Sequence, residues 1–407
     1  MKKTIAITSA LAAASSLATA EIKINEFLSF SGFVDSSYTH SDNERGDVNG
    51  SDNNFAVDQV EIDWMFNFGK VTGQIDLEYE GDNGRNDSGV EVEQAFVNYD
   101  LGNGLTITAG RYESVLGLEA KEPTGLYQYS TAYDFFGTTA GGAEDTNFGD
   151  VNFLPQYAQG VKLTKVSGDN VYSLSIQDES FETDGDRLGG DNNSSYSIEG
   201  GASIALSDEL TWFIGGATED ADAGDTYTIN THVVYQTGAW TFGAEVAYLD
   251  GDADRYSGTL TAADNADILD AIEEAANDAV TATDASATAP VYSDSEAIQA
   301  MIMANYAYSD CCSITARISY HDSETDGAST VTTTDAAVLT DNLTDFAVSD
   351  SLDLEYLKYT LAHNYAVTDN LAIITEISYV DGDTSVSGVG SVDYEALVGA
   401  VEVLFTF

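Results

Sequence analysis

The chain has 407 residues, with 14 lysines and arginines against 69 aspartates and glutamates, for a formal net charge of −55. So acidic a chain is a poor partner for nucleic acid or anionic surfaces and a natural one for cations. Mean hydropathy is slightly negative, and no later segment supplies the eighteen or so continuous apolar residues of a membrane helix; this excludes a helical membrane protein but not a β-barrel, whose spanning strands are about 9 to 11 residues long and half polar.

Met1 to Ala20 reads as a cleavable secretory signal. Lys2 and Lys3 form its charged start, Ile5 to Leu17 its apolar core and Ala18-Thr19-Ala20 its small-residue cleavage site. The mature chain then starts at Glu21 and forms one domain over residues 21–407. Period-two alternation recurs through it. Val60, Ile62, Trp64, Phe66 and Phe68 share one face of a strand, while Gln59, Glu61, Asp63 and Asn67 share the other. After Gly69-Lys70 the chain returns with Val71, Gly73, Ile75, Leu77 and Tyr79 opposed to Thr72, Gln74, Asp76, Glu78 and Glu80.

Sixteen such strands are predicted, near residues 28–39, 57–68, 70–80, 92–101, 105–112, 157–166, 170–178, 195–206, 210–218, 226–236, 240–249, 297–308, 312–321, 352–366, 371–380 and 394–407. Their connections alternate strictly between tight turns, such as Gly102-Asn103-Gly104 and Ser207-Asp208-Glu209, and mostly longer loops. A sandwich has no reason to segregate loop lengths in this way. The pattern predicts an all-β fold, a transmembrane up-and-down antiparallel β-barrel with its tight turns toward the periplasm. At sixteen strands a barrel is too wide for side chains to fill, which predicts a water-filled channel.

The longer loops hold most of the acids and few bases, so one rim is strongly negative. The loop at 250–296 is expected to be partly helical, opened by Thr261-Ala262-Ala263-Asp264 with Ile268, Ile272, Ala275 and Ala279 on one side. Asp47-Val48-Asn49-Gly50-Ser51-Asp52, Asp184-Gly185-Asp186, Asp250-Gly251-Asp252 and Asp381-Gly382-Asp383 suit solvated turns or outer-loop calcium. None completes an EF-hand, and no other cofactor is expected. Adjacent Cys311 and Cys312 read as turn residues. His40, His232, His321 and His363 lie far apart with no catalytic motif around them, so no enzyme is expected.

The loop at 112–156 differs from the others because it is rich in aromatics as well as acids. Alternation puts Glu61, Asp63, Asp76, Glu78, Glu80, Glu199, Glu245, Glu376 and Glu402 in the lumen, with Lys162, Arg317 and Lys358 as basic partners. The loop adds Glu113, Glu119, Glu122, Asp134, Glu144, Asp145 and Asp150, with Arg111 and Lys121 near its root. Tyr127, Tyr129, Tyr133, Phe135 and Phe136 suit either packing against the inner wall, the favoured reading, or an aromatic track for sugars. The acid excess predicts a cation-preferring channel for small hydrophilic solutes.

The chain ends on Val401, Val403, Phe405 and Phe407 along one face, with Glu402 and Thr406 on the other. This ending resembles the closing strand of bacterial outer-membrane barrels. The resemblance implies that Phe405 and Phe407 belong to the signal read by the barrel-assembly machinery. Gln94-Ala95-Phe96-Val97-Asn98-Tyr99, then Thr108-Ala109-Gly110-Arg111-Tyr112 and Gly117-Leu118-Glu119, resemble the OmpL-like β-barrel porin family. That likeness implies an outer-membrane porin surrounded by lipid, with a third loop folded inward as a constriction and a homotrimeric assembly. A plugged structural or adhesive barrel is the other class the pattern allows.

Overall fold

In a computed structural model of the protein, the period-two pattern folds as sixteen long strands. The structure describes residues 21–45, 48–80, 90–135, 153–181, 196–221, 224–251, 285–287, 291–333, 346–386 and 390–407. The signal segment and the expected helix of the sixth loop lie outside these residues. The barrel strands are β1 (Leu28–Arg45), β2 (Val48–Asn67), β3 (Val71–Glu80), β4 (Glu91–Gly102), β5 (Leu105–Glu113), β6 (Tyr157–Ser167), β7 (Asn170–Gln177) and β8 (Tyr196–Ala205). They continue as β9 (Leu210–Ala221), β10 (Gly224–Thr237), β11 (Trp240–Gly251), β12 (Val291–Ser309), β13 (Cys312–Thr333), β14 (Phe346–Thr368), β15 (Leu371–Val386) and β16 (Gly390–Thr406). Each pairs antiparallel with the next, and β16 closes on β1 through registers such as Phe405 opposite Val34.

The apolar face points outward. Along β10, Tyr227, Ile229, Val233 and Tyr235 are exposed, while Thr226, Thr228, Asn230 and His232 are buried inside. A soluble sandwich would reverse this arrangement. Tyr227 and Tyr235 mark the two edges of the apolar band. The eight residue steps from one to the other span about 26 Å at roughly 3.3 Å each, close to the apolar height of an outer-membrane barrel before strand tilt is allowed for. At the tight-turn end Trp240 stacks on Tyr306 and Phe242, with ring centroids 4.5 and 5.5 Å away. At the other end Tyr227 meets Tyr248 at 6.2 Å. Such aromatic girdles sit at membrane interfaces.

The closing seam follows from the last residues. Val401, Val403 and Phe405 face outward, and Glu402, Leu404 and Thr406 are buried inside. Phe407 exchanges both backbone hydrogen bonds with Gly32 at 2.9 Å, and its ring fills the space that a Cβ on Gly32 would need. Glycine is therefore required there by close approach. The tight turn at residue 103 uses positive φ at Gly102, Asn103 and Gly104, where glycine and asparagine are the residues least penalised.

Three of the expected long loops are mostly strand. β1 and β2 pair as far as Arg45 opposite Val48, β13 and β14 as far as Val331 opposite Phe346, and β15 and β16 as far as Val386 opposite Gly390. The sequence expectation ended these strands where alternation stops. Alternation stops because a hairpin that rises above the lipid has water on its outer face, and both faces can then be polar. Asp381-Gly382-Asp383 accordingly lies within β15. Asp184-Gly185-Asp186 lies outside the described residues.

Candidate functional site

Residues 114–135, between β5 and β6, lie against inward-facing side chains from much of the circumference. The segment starts by satisfying Glu199 of β8, which accepts from Ser114 Oγ at 2.6 Å and from the Val115 amide at 3.0 Å. The Gly117 amide then donates to Asn230 of β10 at 3.2 Å. Glu119 accepts from Arg317 of β13 at 2.5 Å, from the Ala132 amide at 2.7 Å, and from Gln128. Glu376 of β15 receives the Tyr129 and Ser130 amides at 2.9 and 3.1 Å and Ser130 Oγ at 2.5 Å.

Arg317 and Lys358 complete this anchorage. Arg317 donates to the carbonyls of Ser130 and Thr131 at 2.9 and 2.7 Å. Lys358 of β14 donates to those of Thr131 and Asp134 at 3.2 and 2.5 Å. Buried cations are costly unless paired and hydrogen-bonded; Glu119 pairs with Arg317, and the loop backbone supplies further bonds to both cations. The Tyr133 hydroxyl donates to Glu245 of β11 at 3.2 Å. Burial, then the charge of that carboxylate, hold it well above its ordinary pKa, so it stays a donor.

Apolar packing reinforces the polar anchors. Leu118, Tyr127, Ala132, Tyr133 and Phe135 form one buried cluster with wall residues Val234, Met301, Met303, Leu354, Tyr356 and Val398. Phe135 stacks on Tyr356 with centroids 5.5 Å apart. Tyr129 is half-buried, its hydroxyl 3.0 Å from Ser37 Oγ. Of the five aromatics considered for a sugar track, four lie within the described residues, and three of these are packed into the wall. Phe136 lies outside the described residues, as do Glu144, Asp145 and Asp150.

The other inward wall is acidic. Glu61 faces Glu78 and Asp63 faces Asp76 across the β2–β3 ladder. Glu61, Asp76 and Glu78 are nevertheless buried; alternation assigned their face correctly but not their access to water. The side chain of Glu80 lies outside the described residues. Gln59 links this wall to the loop, donating to Glu78 at 2.7 Å and to Glu122 at 2.9 Å.

Two acids of this wall escape simple alternation, Asp58 and Glu93. The β1–β2 register shifts between Asp35 opposite Gln59 and Ser36 opposite Val57, leaving Asp58 as the extra residue. The β3–β4 register shifts between Asp76 opposite Gln94 and Leu77 opposite Val92, leaving Glu93 as the extra residue. Each is a β-bulge, which turns an additional side chain to the same face, and both acids are buried. The signal is visible in the sequence as a slip of phase: Val57 and Val60, or Val92 and Ala95, share a face although three residues apart.

The basic residues do not form a single patch. Arg317 and Lys358 are on β13 and β14, whereas Arg111 and Lys162 are on β5 and β6. Lys162 donates to the Glu113 carbonyl at 3.0 Å and lies 4.2 Å from the Tyr112 ring centroid. Arg111 Nε donates to the Glu93 carbonyl at 2.9 Å. Each cation is thus engaged by backbone carbonyls near the loop or its root.

The fold is shared with solved outer-membrane proteins. OmpT of Vibrio cholerae superposes with a TM-score of 0.52 at 13% identity, covering 95% of this chain and 100% of that one. The outer membrane channel DcaP of Acinetobacter baumannii gives 0.53 at 11% identity, covering 93% and 97%. An anion-selective porin from Comamonas acidovorans gives 0.53 at 13% identity, covering 93% and 99%. No curated protein matches the chain. A family model matches residues 28–140 and 150–407, nearly the whole barrel, and by that match the chain belongs to the outer-membrane family described as "Putative beta-barrel porin-2, OmpL-like".

Proposed function

We propose that this porin provides a water-filled path for small hydrophilic solutes and prefers cations. The observation that carries the reading is the imbalance of the inward wall. Carboxylates point inward from β1, β2, β3, β4, β8, β11, β15 and β16, while the inward bases Lys162, Arg317 and Lys358 are each held on the backbone around loop three. The sign of a charged ring and the radius at a constriction set selectivity in such channels. Fold gives no guide to sign, since the Comamonas acidovorans porin of the same architecture is anion-selective.

Loop three is the proposed constriction, and its anchoring to both walls supports that role. The packing of Tyr127, Tyr133 and Phe135 leaves few ring faces for sugar stacking, so the saccharide-track reading is the weaker one. A homotrimer is the assembly the porin resemblance implies.

The test is the reversal potential of the purified protein in planar bilayers under a salt gradient. Cation preference is expected at 0.1 M salt and should weaken at 1 M, where the screening length falls from about 10 Å to about 3 Å. Anion preference at low salt would overturn the sign, and absence of conductance would favour a plugged barrel.

A further inference from the structure

Glu61 and Asp63 on β2, Asp76 on β3, Glu93 on β4 and Glu122 in loop three converge on one another. Carboxylate oxygens of Glu61, Asp63 and Asp76 lie within 4.8 Å of one another, and so do those of Glu61, Glu93 and Glu122. Three of the five are almost wholly enclosed, with Glu61 3%, Asp76 0% and Glu93 4% exposed. Among the described residues, no ion pair joins a basic side chain to any of the five. Carboxylates packed this closely need either a cation or shared protons to remain inside the protein.

The hydrogen bonds around the group are unevenly distributed between the oxygens. Asp63 Oδ2 accepts from Ser31 at 2.8 Å, while Asp63 Oδ1 has no partner. Asp76 Oδ2 accepts from Gln74 at 2.9 Å and from Gln94 at 2.8 Å, while Asp76 Oδ1 has none. Glu61 Oε2 and Glu93 Oε2 are likewise buried without a partner. Glu122 is steered by Gln59 at 2.9 Å and by the Tyr157 hydroxyl at 2.8 Å. In Asp63 and Asp76 neighbours orient one oxygen and leave the other free, which is how outer groups position metal ligands. The bulge that turns Glu93 inward is a device that recurs beside functional sites.

From this geometry we infer that the β2–β4 wall and loop three together form a divalent-cation site of calcium type. The donors are all oxygens, which suits a hard cation and not zinc or copper. The oxygens of each trio lie within 4.8 Å of one another, no farther apart than opposite ligands of a calcium ion with bonds of about 2.4 Å. Magnesium, which demands a near-ideal octahedron and sheds its water reluctantly, suits a site of enclosed wall carboxylates less well. Because Glu122 belongs to the loop and the other ligands to the wall, the cation fastens loop three to β2–β4. It would do so on the side of the barrel away from the Arg317 and Lys358 anchors. This site is separate from the acidic outer segments, and its occupancy does not depend on conduction.

The folded, chelator-stripped protein is titrated calorimetrically with calcium chloride, with magnesium as competitor, while trypsin cleavage after Lys121 reports release of the loop. A saturable calcium site is expected, and calcium should slow the cleavage. Glu61→Gln and Glu93→Gln should weaken that site by roughly 10- to 100-fold or more, the range seen even for groups that only orient ligands, and should abolish the calcium effect on cleavage. Asp381→Asn, in the outer part of β15, should change neither. Retained heat-modifiable migration shows that a variant has folded. If a strand variant fails that check, Glu122→Gln, in the loop, makes the same test. Two results would overturn the inference: absence of saturable calcium binding in the parent protein, which leaves shared protons as the explanation, or unchanged binding in a folded ligand variant.

Discussion

Two inward walls hold the same loop by different physics. On the side of β10 to β16, loop three buries Tyr127, Tyr133 and Phe135 against apolar wall residues and gives its carbonyls to Arg317 and Lys358. On the side of β2 to β4, it meets a bank of acids with oxygens left over. On the first wall Arg317 and Lys358 both have acceptors and the rings have neighbours, although single atoms such as Arg317 Nε, the Tyr127 hydroxyl and Glu402 Oε2 are left without partners. On the second, four acids of one cluster each keep an oxygen without a partner, and among the described residues no ion pair joins a basic side chain to them. A loop fastened firmly on one side and conditionally on the other can move about the fixed side, and its position relative to the acids sets the width of any path between them.

The largest expected effect comes from breaking the firm wall. Arg317 is fully enclosed and Glu119 nearly so. Replacing Arg317 with Ala leaves Glu119 without its countercharge and strips the Ser130 carbonyl of its donor, while the Thr131 carbonyl keeps only Lys358. Removing one partner of a buried pair costs about 3 to 5 kcal/mol. Trypsin cleavage after Lys121 should accelerate by at least about a hundredfold, since each 1.4 kcal/mol is tenfold in the open population. Cleavage within about threefold of the parent rate would show that the ion pair does not hold the loop. Phe135→Ala comes next. It empties the pocket against Tyr356 and should cost about 3 kcal/mol, at the low end for a buried Phe because one edge of the pocket is the loop itself and can relax.

Much of this contrast was legible in the sequence. The outward direction of Val60, Ile62 and Trp64 and the inward direction of Glu61 and Asp63 follow from period two. So do the strand count and the closing role of Val401 to Phe407. The resemblance around Gly110-Arg111-Tyr112 led to the family that the whole barrel matches. Access was not legible. Whether Asp76 faces water depends on where Glu122, 46 positions later, comes to rest, and no local pattern encodes that. The inward turns of Asp58 and Glu93 were in principle readable from the phase slips at Val57–Val60 and Val92–Ala95, but a strict alternation rule passes over them. The extents of β1, β2, β13 and β14 were hidden because strand pairing above the membrane carries no hydropathic signature.

The smallest expected effect is on the acidic wall, and its smallness is the point of the comparison. Asp76 is wholly enclosed, yet one of its oxygens has no partner and Asp63 stands opposite it. Asp76→Asn keeps an oxygen for Gln74 or Gln94 and adds an amide that can donate to Glu61 or Asp63, while removing one of several like charges. In chelator the lost repulsion and the new hydrogen bond offset the lost ionic acceptor. Cleavage after Lys121 should therefore change by less than about fivefold, within about 1 kcal/mol, in contrast to Arg317→Ala. In calcium the variant should lack whatever protection the parent gains, because an amide oxygen is a weaker ligand than a carboxylate. If Asp76→Asn releases the loop a hundredfold in chelator, the acidic wall is holding it through protons or water as firmly as the apolar wall does, and the distinction between the two sides fails.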